Sequence, residues 1–249
     1  MMMILLSPSK KQNFVPENFY SNFTHPIFQE KTLEIVKILQ QFSVPDISRL
    51  MDISNDLAQL NYKRYQNFNH SDQELKQAIL AFKGDVYSYL EFSKYQAEHY
   101  QFLQDHFFVL SGLYGILKPL DLIKPHRLEM GTSLKIYENN NLYELWRKDI
   151  TSFLNNEPHN VIINLASNEY FNVIDIKQIN HPIITISFKE YRNNTLKTIA
   201  LNAKRARSMM SNYIILNKIE NIEELKDFDV SGYKFSNAHS TASTFTFIK

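Results

Sequence analysis

The sequence predicts a mixed α/β fold of the α+β class, in which a small central sheet is surrounded by many helices. Apolar residues recur every three or four positions through most of residues 1–155, which is the period of an amphipathic helix. Short apolar runs of the strand type lie at 3–6 and 161–165. No repeat, low-complexity segment or Gly/Ser linker divides the 249 residues. We therefore expect one compact domain over 1–249, helix-rich over 1–155 and strand-containing over 156–249.

The first part of the chain is predicted to be one strand followed by helices. The run MILL at 3–6 ends at SPS, a turn signal that suits a short buried strand. Ser71 has Glu74 three residues later, which is the capping-box pattern of a helix start. Apolar spacing predicts helices over 29–42, 46–66, 71–82, 100–110 and 141–155.

The second part changes to strand patterns around one further helix. NVIINLA at 160–166 is a short apolar run, and 182–201 has the pattern of two strands joined by a turn. The turn falls on the asparagine pair 193–194, because asparagine tolerates left-handed backbone. The apolar period predicts a helix over 202–219, and alternation over 232–249 predicts one or two edge strands.

Composition excludes several classes of site. The chain has no cysteine, so it has no disulfide, thiolate metal site or cysteine nucleophile. Its closest helical histidine pair, His99 and His106, is seven residues apart rather than three or four, so we expect no metal and no cofactor. The N-terminus lacks the pattern of a secretion signal, and no run of about 18 apolar residues occurs. We expect a cytoplasmic protein without a membrane partner, and the net charge of +1 leaves nucleic acid open.

The loop SPSKK at 7–11 is the first candidate site. It follows the predicted strand and contains Ser7 and Lys10, whose hydroxyl and ammonium groups suit a phosphate or another anion. Loops at the ends of central strands are common ligand sites. The loop lacks the glycine pattern of a phosphate loop, and the alternative is a solvated turn.

The segment AKRARS is the most basic part of the chain. On a helix, Lys204 and Arg207 share one face, while Arg205 is rotated by about 100°. No acidic residue occurs from Tyr191 to Ile219. This pattern is typical of a surface that contacts DNA phosphates, and the alternative is a solvated helix face.

NLASNEYF at 164–171 places polar side chains at the end of a predicted strand. Glu169 is a candidate general acid or base in a pocket at that strand end. The alternative is structural, because serine and asparagine also cap helices.

LSGLYG at 110–115 concentrates glycine in a chain that has only five. We predict a tight turn between helices, at which Gly112 and Gly115 either present backbone N–H groups to a phosphate or let two helices cross closely. This segment, its continuation and the nearby AFKGDVYSYL add four candidate phosphate-binding cations: Lys83, Lys118, Lys124 and Arg127.

Five motifs together resemble a known family. ILAFKGDVY, LSGLYGILKPLDLIKPHRLEMG, NLYELW, VIINLASNEYF and AKRARSMMSNYII occur in the order and spacing of the YaaA family of bacterial peroxide-stress proteins. The resemblance covers nearly the whole chain. It implies a single-domain fold peculiar to the family, with a basic cleft and a helix-hairpin-helix-like element. It also implies DNA binding and protection from hydrogen peroxide through a limit on free intracellular iron.

The chain departs from the family pattern at two places. Two residues separate Gly112 from Gly115, whereas a typical helix-hairpin-helix turn has one residue between its glycines, and Pro119 interrupts the second helix. Lys11 stands where the family loop has threonine. Which segment forms the helix-hairpin-helix therefore stays open.

Two functions from different classes follow. The favoured one is a non-enzymatic stress protein whose basic cleft contacts phosphates of double-stranded or branched DNA through Lys204, Arg205, Arg207 and the cations around Gly112. Its oligomeric state stays open.

The alternative is an enzyme that acts on a nucleotide or nucleic-acid base. Ser7 and Lys10 would hold a phosphate, Tyr114 would stack on the base, and Glu169 would be the acid or base. This alternative requires the strands at 3–6 and 161–165 to be neighbours in one sheet.

Overall fold

The helices and strands alternate along the chain in a computed structural model that describes residues 1–70 and 74–249. The helices are α1 (Gln29–Leu39), α2 (Val44–Met51), α3 (Asn55–Gln66), α4 (Ala78–Ala81), α5 (Ala97–His106), α6 (Leu142–Asn156), α7 (Asn168–Phe171) and α8 (Ala200–Asn217). Short 3₁₀ helices lie at Phe92–Lys94, Ile222–Asp227 and Asn237–His239. The strands are β1 (Met2–Leu6), β2 (Lys11–Gln12), β3 (Lys76–Gln77), β4 (Phe82–Lys83), β5 (Phe107–Ser111), β6 (Gly115–Leu117), β7 (Leu122–Ile123), β8 (Val161–Asn164), β9 (Ile183–Arg192), β10 (Thr195–Lys197), β11 (Lys234–Phe235) and β12 (Thr244–Ile248).

Eight strands of the described ranges form one sheet in the order β11-β12-β9-β8-β1-β5-β6, with β10 paired to β9. β1 lies between β8 and β5 and runs parallel to both. Its residues are 0 to 1% exposed, which explains the uninterrupted apolar run of this strand. Because the chain proceeds from β1 to β5 on one side and later returns to β8 on the other, the strand order reverses next to β1. Such a reversal opens a crevice at the carboxyl ends of the strands.

The predicted fold class is confirmed, since the chain forms a single compact domain with a mixed central sheet. The helices predicted over 29–42, 46–66, 141–155 and 202–219 are also confirmed. They correspond to α1, to α2 with α3, to α6 and to α8. The turn between β9 and β10 falls on Asn193 and Asn194, and both residues have left-handed backbone, with φ of 51° and 58°.

The helix predicted over 71–82 is wrong in its described part. Residues 76–83 form β3, the single turn α4 and β4. The backbone N–H groups of Ala78 and Ile79 donate to the carbonyls of Asp121 and Pro119, so pairing with a distant segment replaces the local helix. The predicted capping residue Ser71 lies outside the described residues.

The helix predicted over 100–110 is correct only to His106. Phe107–Ser111 is β5, which pairs with β1 in the middle of the sheet. All five residues of β5 are buried, and a continuous apolar run has no period that separates a strand from a buried helix. The helix-rich reading of 1–155 therefore misses a central strand.

Gly112 and Gly115 lie in a β-hairpin and not between two helices. β5 pairs antiparallel with β6, and Ser111 lies opposite Gly115. This segment is therefore not the hairpin of a helix-hairpin-helix element. Both glycines are buried, so neither presents its backbone to a DNA phosphate.

The two glycines allow close packing. A Cβ at Gly112 would lie 2.4 Å from the carbonyl oxygen of Leu128, and the Gly112 carbonyl accepts a hydrogen bond from Trp146 Nε1 at 2.9 Å. Gly115 has φ of +71°, and a Cβ there would lie 2.7 Å from the ring of Trp146. The glycines thus let the hairpin approach α6 and the backbone near Leu128.

We expect Gly112→Ala to lower the free energy of unfolding by about 2 kcal/mol, because the added methyl group meets backbone atoms that cannot rotate away. Urea denaturation followed by Trp146 fluorescence measures the change. Gly131→Ala is the matched control, since a Cβ there has no atom closer than 3.4 Å and Gly131 is exposed. Equal losses in the two variants would contradict this packing role.

Candidate functional site

A cleft of about 640 Å³ opens at the carboxyl ends of β1 and β8. Since these strands are parallel neighbours, the loops that follow them meet at the same edge of the sheet. The loop after β1 contributes 7–11, and the chain after β8 contributes residues between Leu165 and Tyr170. Gly84–Val86 and the first two turns of α8 complete the lining.

Ser7 joins the two strand ends. Its Oγ accepts a hydrogen bond from the Ser167 N–H at 2.8 Å and donates to Ser167 Oγ at 3.3 Å. The Ser7 carbonyl accepts from Tyr87 Oη at 2.8 Å. Ser7 lines the cleft, but its hydroxyl has a single proton and donates it to Ser167. We call this pair of serines the Ser7–Ser167 latch.

Lys10 reaches the cleft but is paired with Glu129. Its Nζ lies 3.1 Å from Glu129 Oε1, the oxygen that also accepts from Arg127 Nε at 3.1 Å. The Lys10 side chain is 61% exposed, whereas the side chains of Arg127 and Glu129 are 17% and 11% exposed. The charge of Arg127 is therefore compensated inside the protein, and Lys10 remains accessible at the rim.

A cavity of about 20 Å³, the size of one water molecule, lies beside this ion pair. His126, Ser111 and Glu129 contribute to its lining. Burial lowers the pKa of His126 to about 4, so the ring is neutral at pH 7. His126 therefore adds no positive charge beside Arg127 at this pH.

The basic face of α8 divides between two environments. Lys204 and Arg207 line the cleft. Arg205 instead forms an ion pair with Asp85, at 3.0 Å from Nε to Oδ1. This ion pair neutralises the charge of Arg205. It also neutralises Asp85, which is one of the two carboxylates that line the cleft.

Arg207 has an unusual environment for a guanidinium group. It is half-buried, its Nε is fully buried without a hydrogen-bond partner, and within the described ranges it forms no ion pair. Burial lowers the pKa of Arg207 below its usual range. A desolvated charge without a partner is costly, and an anion in the cleft would supply the missing partner.

Three further charged side chains of the cleft have no opposite partner in the part of the chain that the structure describes. Two of them, Lys11 and Lys204, are exposed. Glu169 is exposed as well, and Tyr143 Oη donates to its backbone carbonyl at 2.7 Å, which holds the start of α7. The free charges of the lining are therefore Lys11, Lys204 and Arg207 against Glu169, and the cleft is basic.

Other cations predicted to bind phosphate lie outside the cleft. Lys83 Nζ lies 3.3 Å from Glu17 Oε2, and Lys118 Nζ lies 3.8 Å from Glu157 Oε1. Lys124 Nζ donates to the Phe68 carbonyl and lies 5.2 Å from the centre of the Phe68 ring. Each of these three side chains is engaged at a different place in the fold, so the structure does not bring them together with Lys204 and Arg207.

Tyr114 does not face the cleft either. Its side chain is 4% exposed, and its Oη accepts from the Lys124 N–H at 3.0 Å. It lines a separate cavity of about 250 Å³ together with Thr32 and Leu33 of α1. Stacking of Tyr114 on a base held in the cleft is therefore ruled out by its position.

Sequence reasoning missed two ion pairs at the site, that of Lys10 with Glu129 and that of Arg205 with Asp85. In both pairs the partners are far apart along the chain. No local pattern reports such pairs, because they depend on which strand ends meet. The sequence offered one signal of these pairs: each carboxylate lies in a motif that also contains a glycine and a cation.

No helix among residues 1–70 and 74–249 is long and apolar enough to cross a membrane. In the same ranges no group of three or more histidine, aspartate and glutamate side chains is placed to hold a metal ion.

Comparisons with known proteins match this chain over nearly its whole length. A family model described as peroxide stress protein YaaA matches residues 2–239. The chain is 43% identical over 255 residues to a UPF0246 protein of Legionella pneumophila (strain Corby), covering 100% of this chain and 99% of the relative. It is 44% identical over 252 residues to a UPF0246 protein of Crocosphaera subtropica, covering 100% of both chains. A UPF0246 protein of Flavobacterium psychrophilum is 43% identical over 252 residues, again with 100% of both chains covered.

Proposed function

We propose that this chain, which belongs to the family of peroxide stress protein YaaA, serves the response to hydrogen peroxide by binding DNA through the basic cleft. Lys11, Lys204 and Arg207 would contact phosphate groups. Phosphate contacts carry no sequence information, so the binding would be largely independent of sequence. The protection from iron-driven damage that the family resemblance implies would then be indirect, as a consequence of DNA contact.

The observation that carries this proposal is the environment of Arg207. Its buried guanidinium Nε lacks a partner in the described residues, while Lys10, Arg205 and Arg127 all have carboxylate partners. Arginine presents a planar fork of donors that matches the oxygens of a phosphate. Lys204 lies on the same helix and lines the same cleft, so a phosphate at Arg207 gains a second cation.

We expect the double variant Lys204→Glu/Arg207→Glu to bind duplex DNA at least about 100-fold more weakly at low salt, because two charge-assisted contacts become repulsive. The slope of log affinity against log salt should fall by about two. Fluorescence anisotropy with a labelled duplex measures both quantities.

The charge-matched control is Lys218→Glu/Lys234→Glu. Both lysine side chains are exposed, at 44% and 72%, and neither lines the cleft. This control should keep most of the affinity of the wild-type protein. Equal affinities for the two double variants would reject the cleft as the DNA site.

An enzyme that acts on a nucleotide is the second candidate function, because β1 and β8 are neighbours, as this function requires. Ser7 and Glu169 consequently line one cleft. The roles differ from those predicted from the sequence, since Tyr114 faces another cavity and the Ser7 hydroxyl is held in the latch. Glu169 is the exposed carboxylate that remains for general acid or base catalysis.

If the second function holds, the wild-type protein converts nucleotides or DNA ends to a new product, and Glu169→Gln abolishes turnover while affinity stays within about twofold. Asp175→Asn is a surface carboxylate control outside the cleft. Incubation with mononucleotides and short strands, analysed by mass spectrometry, detects the product. Unchanged substrates with the wild-type protein would reject this function.

A further inference from the structure

Arg207 lies where few kinds of phosphate can reach it. The side chain is half-buried in the wall of the cleft, and its Nε has no contact with solvent. A duplex carries its phosphates along the outside of a stiff rod, each with a single charge. A phosphate group must enter the cleft to contact Arg207, which favours a flexible or terminal nucleotide over the continuous backbone of a duplex.

The charges of the cleft match a dianion better than a monoanion. Lys11, Lys204 and Arg207 lack carboxylate partners in the part of the chain that the structure describes, and Glu169 is the carboxylate of the lining that lacks a cation. Counted over all its charged side chains, the lining has Lys10, Lys11, Lys204 and Arg207 against Asp85 and Glu169, which is an excess of two positive charges. A phosphate diester carries one negative charge, whereas a phosphate monoester carries close to two at pH 7 and offers three acceptor oxygens.

The remaining lining suits the sugar and base of one nucleotide. Pro8, Val86, Leu165 and Ala203 give the cleft apolar walls, and Asn168 adds an exposed amide at the rim. The volume of about 640 Å³ falls in the range of roughly 300 to 1,000 Å³ that is typical of sites for small ligands. The cleft thus has a cationic part for a phosphate and an apolar part for a nucleoside.

We propose that the cleft binds the phosphate monoester of a single nucleotide, with Arg207 and Lys204 on the phosphate. The nucleotide is either the phosphorylated end of a DNA strand or a free mononucleotide. The identity of the ligand as a nucleotide rests on the proposed function. The preference for a monoester rests on the burial of Arg207 and the charges of the cleft alone.

The test compares ligands that differ in one phosphate group. Labelled single strands of identical sequence carry a 5′-phosphate, a 3′-phosphate or hydroxyl groups at both ends, and a blunt duplex with hydroxyl ends completes the set. Fluorescence anisotropy at constant salt should show about tenfold tighter binding of at least one phosphorylated strand, because charge-assisted hydrogen bonds are added. dAMP should compete for the protein, and deoxyadenosine should not.

Arg207→Gln should remove the preference for the phosphorylated strand. Lys218→Gln is the matched control, because Lys218 directly follows α8, loses the same charge, and lies outside the lining together with its ion-pair partner Glu98. It should retain the preference. Circular dichroism of both variants confirms that the comparison is made on folded protein.

The outcomes separate this inference from the proposed function. Equal affinity of the wild-type protein for phosphorylated and hydroxyl-ended strands overturns the inference and leaves DNA binding in place. Direct binding of dAMP in isothermal titration calorimetry, without binding of deoxyadenosine and without measurable DNA binding, supports the inference and rejects the proposed function. A preference that survives in Arg207→Gln overturns the assignment of Arg207.

Discussion

The parallel pairing of β1 with β8 is the interaction on which the candidate site depends. These strands are separated by most of the chain, and their pairing brings the loop 7–11 and the residues after Asn164 to one edge of the sheet. The Ser7–Ser167 latch fixes the two strand ends to each other. Without this pairing, the side chains of the cleft would not lie near each other.

The second constraint is the uneven compensation of positive charge. Some of the cations near the cleft have carboxylate partners, such as Glu129 for Lys10 and Asp85 for Arg205, whereas Lys11 and Lys204 have none within the described ranges. Arg207 is desolvated and has no such partner within the described ranges, although a partner would stabilise it. Among the cations without a carboxylate partner, Arg207 is the one whose Nε is buried, and the proposed ligand is an anion that supplies a partner for its guanidinium group.

Helices and the fold class could be predicted from the sequence because their signals are local. The apolar period located α1, α6 and α8, and the asparagine pair located the turn after β9. β5 could not be predicted as a strand, because the run FFVL has no hydrophobic period and forms a strand only through its pairing with β1. A close approach at Gly112 was one of the two predicted roles, but its partners could not be predicted, because Leu128 and Trp146 reach this glycine only when their segments fold back onto the hairpin. At the site, Lys204 and Arg207 could be found from their spacing, but which cations are compensated depends on contacts between distant segments.

The most direct test of the account follows Arg207 itself during binding. In protein labelled with ¹⁵N-arginine, the Nε–H resonance of Arg207 is assigned by its absence in Arg207→Gln and followed while a 5′-phosphorylated DNA strand is added. We expect this resonance to shift to saturation with the same affinity as overall binding, since a phosphate on the guanidinium group changes the electrostatic environment of its Nε–H. Binding of the strand with an unmoved Arg207 resonance would contradict the account.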